Sequence, residues 1–100
     1  WRRAFTEAYK PYKATNVFDC NTVPRGLTSR HNTKKDVFGL IHVIKGELKL
    51  TIFANKKEIE SEQIVVIKQG ECGLVAPQEW HKVTANSNDM QFYVEFWKVP

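Results

Sequence analysis

His31 lies in the polar, turn-like stretch PRGLTSRHNT, five residues after Gly26, and His81 lies four residues after Pro77 in APQEWHKV. Neutral imidazole is the commonest protein metal ligand, and two such rings facing one cavity can hold a divalent ion. Two ligands are too few for a stable site, and a catalytic site also keeps a position open for water or substrate. Glu95 is the leading third ligand. It lies in FYVEFW, where every neighbour is apolar or aromatic, and an ionised carboxylate there is costly unless it is exposed, paired or bound to a metal. The expected metal set is therefore His31, His81 and Glu95. Two histidines and a carboxylate suit zinc or non-haem iron. The competing reading is a Glu95 that faces solvent or pairs with a Lys or Arg across the strands.

Strand alternation puts Tyr93, Glu95 and Trp97 on one face of the last strand and Phe92, Val94 and Phe96 on the other. With Glu95 as a ligand, Phe92 and Phe96 should accept apolar swaps without a change in metal content. Because imidazole must be neutral to bind, affinity should fall below about pH 6.5.

Other side chains are weaker candidates. His42 alternates with Leu40 and Ile44, and a lone strand histidine is more often hydrogen-bonded or at an interface than a ligand. Glu79, in a proline-containing turn, is expected to be exposed. Cys72 is expected to be a small buried apolar residue. A catalytic Cys–His pair would need Cys20 or Cys72 beside a histidine in space, which spacing does not show. The sequence has no Gly-rich phosphate loop, no serine nucleophile elbow and no CxxC.

The elements that must position these residues read as strands. FGLIHVI, from Phe38 to Ile44, is rich in β-branched and aromatic residues, Lys45-Gly46 makes a corner, and ELKLTIF follows with period-2 alternation. The pair reads as a hairpin. ANKK at 54–57 and NSND at 86–89 are turns. EIESEQIVVIKQG, CGLVAP and WHKVTA are further strand segments. QFYVEFWKV is long and aromatic enough to be central or nearly so. Six to eight short strands indicate a sandwich or a small barrel. The opening stretch, Arg2–Tyr9, suits either one helical turn or a strand arm.

One hundred residues make a single domain spanning 1–100. Hydrophobic residues at 42% supply a core, so disorder is not expected. The absence of an initiator Met suggests a trimmed part of a slightly longer protein. No apolar run approaches the roughly 20 residues a membrane helix needs, and no signal peptide is visible. The expectation is a cytoplasmic protein with two reduced thiols, Cys20 and Cys72. The formal charge of +4 comes from scattered basic pairs, which argues against a nucleic-acid surface.

Three segments in order, TVPRGLTSRHNTKKDVFGLIHVIKGELKL, GLVAPQEWHKV and FYVEF, resemble the small cupin-like domain of the tellurite-resistance, TehB-type, protein family. The resemblance covers roughly residues 10 to 97. In TehB-type proteins this domain can precede a methyltransferase, and it also exists alone. The resemblance implies a cupin: an all-β double-stranded β-helix, or jelly roll, with a metal or small ligand in its mouth. Gly26, His31 and Gly46 fit the first cupin motif, while its second histidine position looks like Thr33 and its glutamate position like Gly39. Gly70, Pro77, His81 and Asn86 approximate the second motif.

The function implied is binding of a divalent metal (zinc, iron or nickel), a small molecule or an oxyanion in a toxic-oxyanion or stress response. The alternatives are a metal-dependent dioxygenase or isomerase and a metal-free dimerisation module. A homodimer is expected, with Trp1, Phe5 and Tyr9 on the arm that crosses over.

Overall fold

The computed structural model describes residues 10–55 and 58–98. Trp1, Phe5, Tyr9 and the rest of the opening arm, with Lys56 and Lys57 of the expected ANKK turn, lie outside the described residues. Eight strands and one short helix follow in order: β1 (Lys10–Ala14), β2 (Phe18–Asp19), α1 (Arg25–Thr28), β3 (Val37–Lys45), β4 (Glu47–Asn55), β5 (Glu58–Lys68), β6 (Cys72–Val75), β7 (His81–Ala85) and β8 (Gln91–Lys98). Among the described residues the strands form two antiparallel sheets and close no barrel. One sheet runs β1-β8-β3-β6, with β2 also on β8, and the other runs β5-β4-β7. As its aromatic content suggested, β8 is central, flanked by β3 on one side and β1 and β2 on the other.

The expected β3–β4 hairpin does not form. β3 pairs with β6 and β8, whereas β4 pairs with β5 and β7. Gly46 is a corner that carries the chain from one sheet to the other. Its φ of 69° is in the left-handed region, and a Cβ there would stand 2.2 Å from Ser87 Oγ and 2.6 Å from Asp89 Oδ1. The same NSND turn locks the corner: Glu47 N–H donates to Ser87 Oγ at 2.9 Å, and the Asn86 side-chain amide donates to Glu47 Oε1 at 3.0 Å. The residue pattern showed a strand on each side of the corner. It could not show that they bury against each other across the sandwich instead of pairing edge to edge.

The core lies between the sheets. Ile41, Val43, Leu48, Leu50, Ile67, Val75, Val83, Met90, Phe92 and Val94 form one cluster. Burial of each large apolar side chain contributes about 1.5–3 kcal/mol. The outer face of the β8 sheet carries a second, smaller cluster, with Leu40 and Trp97 buried against Phe38 and Leu74. This sheet therefore has apolar residues on both faces.

Candidate functional site

A cavity of about 380 Å³ lies between the two sheets, lined in part by residues of the core. Val37, Gly39 and Ile41 of β3, Val75 of β6, Val83 of β7, and Phe92, Val94 and Phe96 of β8 wall it, and His31 and His81 both face into it. His31 comes from the segment after α1, and His81 opens β7. Each donates its backbone N–H to the other's carbonyl, at 2.9 Å from His31 and 2.8 Å from His81. That bridge brings the two rings to a centroid separation of 4.1 Å, tilted by 59°.

Thr33 ties the two histidine-bearing loops together. Its hydroxyl donates to the Ala76 carbonyl at 3.3 Å and accepts from Gln78 N–H at 3.1 Å. Beside it, the Arg30 guanidinium lies 4.5 Å over the Phe53 ring, anchoring the His31 segment to β4.

The two imidazoles are held in the same way. His31 Nδ1 is 2.8 Å from the Ser29 carbonyl and His81 Nδ1 is 2.7 Å from the Glu79 carbonyl. A carbonyl only accepts, so Nδ1 of each neutral ring carries the hydrogen and Nε2 carries the lone pair. Burial pushes the His81 imidazole down to about 4, against the raising effect of its bond to the Glu79 carbonyl, and the neighbouring His31 lowers it further. His81 is therefore neutral at physiological pH. A backbone carbonyl that fixes the tautomer is the usual outer support of a ligating histidine, and backbone carbonyls have no sequence signature that could have announced it.

Glu95 is not brought to this pair. It projects from the other face of β8, and His42 Nε2–H donates to its Oε1. Alternation divided β8 correctly, but the cavity lies on the Phe92, Val94 and Phe96 side. Those phenylalanines are therefore neighbours of His31 and His81, not residues remote from the site. Among the described residues, no group of three or more His, Cys, Asp or Glu side chains could hold a metal ion. The chain supplies two imidazole donors there. Glu79 contributes its carbonyl to His81, and its carboxylate accepts from Ala76 N–H at 3.2 Å.

Cys72 also departs from expectation. Gly73 and Val75 of β6 point inward, so Cys72 points outward and is exposed. Its Sγ lies 3.2 Å from His42 Nδ1, and the His42 ring stacks on Tyr93 at 4.6 Å. Both cysteines are free thiols. No helix among the described residues is long and apolar enough to cross a membrane.

This arrangement has relatives. A crystal structure of an Escherichia coli K12 protein superposes with a TM-score of 0.88 at 26% identity, covering 94% of both chains. The uncharacterized protein YeaR of Escherichia coli K12 is 26% identical over 91 residues, 88% of this chain and 76% of YeaR. TehB of Haemophilus influenzae, a probable S-adenosyl-L-methionine-dependent methyltransferase, is 30% identical over 86 residues, 86% of this chain but 30% of TehB. Its crystal structure matches with a TM-score of 0.80 at 28% identity, covering 94% of this chain and 32% of TehB. This chain thus spans about a third of the methyltransferase it resembles. The TehB-like domain profile matches residues 13–94, and the chain belongs to the TehB-like domain family.

Proposed function

We propose that this is a cupin-type binding protein, its two sheets a double-stranded β-helix with an open mouth. Its cavity takes a small ligand at Nε2 of His31 and His81, either an anion held through a divalent cation or a neutral molecule that donates a hydrogen bond, in the response to a toxic oxyanion or a related stress. The observation that carries the reading is the matched pair of rings: both turn Nδ1 to a carbonyl, and neither Nε2 has a hydrogen-bond partner among the described residues. Two such lone pairs in an apolar-walled cavity suit a cation or a ligand hydrogen-bond donor.

The positions that look like the cupin motif's second histidine and its glutamate, Thr33 and Gly39, line the same cavity. That supports a cupin-type site with a reduced set of protein ligands. Lys13 and Lys34 also line it and would draw an anion toward it. A bound divalent ion would supply positive charge at the imidazole end. The chain's own part is to hold both rings oriented, to keep His81 neutral, and to exclude water with Ile41, Val83 and Phe92. The association with oxyanion stress rests on family membership.

Cobalt(II) titration of protein prepared without a histidine tag tests this reading through its visible absorption. We expect one saturable site, weakened at least about tenfold in His31→Ala and in His81→Ala, which is about 1.4 kcal/mol. Equal binding by the doubly substituted protein overturns it.

A further inference from the structure

We infer that Cys72, His42 and Glu95 form a second, thiol-reactive site on the outer face of the β8 sheet, which takes up a low-molecular-weight disulfide as a mixed disulfide on Cys72. The three residues come from three neighbouring strands. Cys72 of β6 and His42 of β3 are directly paired, and Glu95 of β8 sits diagonally from His42, opposite Leu40. Tyr93, paired with His42 on its other side, stacks on the imidazole with planes 12° apart and holds the ring upright.

The hydrogen-bond chain has one direction. As a carboxylate, Glu95 can only accept, so His42 Nε2 carries the hydrogen and Nδ1 is the bare nitrogen. Cys72 Sγ, 3.2 Å away, donates its S–H to that nitrogen. This is the nucleophile, base and orienting carboxylate order by which a thiol is activated, recognised by geometry and not by position in the sequence.

Cys20 provides the contrast within the same chain. It too is exposed, but its Sγ lies 3.4 Å from the Ser87 carbonyl and 3.5 Å from the Asn88 carbonyl. Those acceptors can take a hydrogen bond but not a proton.

The step is balanced without any further reactant. The Cys72 proton passes to His42 Nδ1, and the sulfur attacks one sulfur of the disulfide. The S–S bond breaks, and the departing thiolate takes the proton back from Nδ1. Cys72–SH and RSSR become Cys72–SSR and RSH, with Cys72 oxidised and the released half reduced. Exchange of this kind needs access, a base and a proton for the leaving group. Acyl transfer would also need donors for a developing oxyanion. Glu95 acts through His42 and is a positioning residue.

The test uses the native chain with glutathione disulfide at pH 7, followed by intact mass and peptide mapping. Cys72 should acquire one glutathionyl group at least about tenfold faster than Cys20, a modest share of what a positioned base supplies. His42→Asn should abolish that advantage and leave the Cys20 rate unchanged. ¹⁵N NMR of the histidine side chains should show His42 protonated at Nε2 in the parent, a preference lost in Glu95→Leu, which removes the acceptor and which a purely structural role for Glu95 would not move. Equal rates at the two cysteines, or an advantage that survives His42→Asn, overturns the proposal. The cysteine comparison and the tautomer need only the parent chain, so an unstable His42 variant does not remove the test.

Discussion

The two faces of the β8 sheet look onto histidines in opposite chemical situations. Across the cavity from the inner face, His31 and the β7 residue His81 each use one nitrogen on a backbone carbonyl and line an apolar-walled cavity. On the outer face, His42 has both nitrogens engaged, one by Glu95 and one by Cys72. The difference shows that a histidine's role follows from which partner takes its first nitrogen. A carbonyl partner fixes the tautomer and leaves a lone pair for a ligand. A carboxylate on one side and a thiol on the other make the ring a relay for a proton. β8 serves both arrangements, with Phe92, Val94 and Phe96 walling the cavity and Tyr93 and Glu95 supporting His42.

The largest expected effect tests whether the inner face is the structural one. Phe92 is completely buried, so Phe92→Ala should cost about 3–5 kcal/mol in chemical denaturation. Tyr93→Ala, one residue along and facing outward, should cost about 1 kcal/mol, the scale of one ring-stacking contact. Equal losses would mean that the two faces are packed alike.

Acid should unfold the inner arrangement through His81. Its folded value of about 4 lies below the ordinary 6.5, so the unfolded chain binds the extra proton between those values. The stability from the buried neutral ring is fully present above about pH 6.5 and is lost as pH falls through about 4. It amounts to about 3 kcal/mol. Urea midpoints measured from pH 7 to pH 4 should fall in the parent and fall less in His81→Gln. Parallel curves would remove the buried neutral imidazole from the account.

A smaller effect sharpens the assignment of the cavity. A Cβ at Gly39 would meet nothing closer than 3.8 Å, so Gly39→Glu has room at its base. Combined with Thr33→His, it adds the two donor types that the cupin motif places at these positions. Cobalt(II) should bind about tenfold more tightly or better, read as a shift in the absorption titration. Unchanged affinity would mean that these positions do not face the ion. The smallest effect is expected for Glu95→Gln, which should leave cobalt affinity within about twofold of the parent, because Glu95 is held by His42 on the far side of the sheet. A large loss would restore Glu95 to the metal set.

Much of the fold could be read from hydrophobic periodicity. The strand segments around Leu48–Ile52 and Phe92–Phe96 were visible as half-buried strands, and the central place of β8 followed from its aromatic content. Periodicity could not say which neighbour a strand pairs with, so Gly46 was read as a hairpin corner when it links two sheets. In β8 it separated two faces but could not tell which looks inward, because Tyr93 and Trp97 are as aromatic as Phe92 and Phe96. That ambiguity put Glu95 with the wrong histidines. The juxtaposition of His31 and His81 was foreseen from the two ordered half-motifs. The carbonyls of Ser29 and Glu79 that set their tautomers belong to the backbone, which side-chain identity does not report. The Cys72–His42 contact arises from strand register, and no spacing along the chain encodes it.

The central claim is that the inner pair, and not the outer histidine, is the ligand-binding one. Zinc titration followed by ¹⁵N NMR of the three histidine side chains tests it most directly. The account predicts that the Nε2 resonances of His31 and His81 shift together and saturate at the same added zinc, while those of His42 stay in place. Movement of His42 with His31 and His81 unchanged would contradict it.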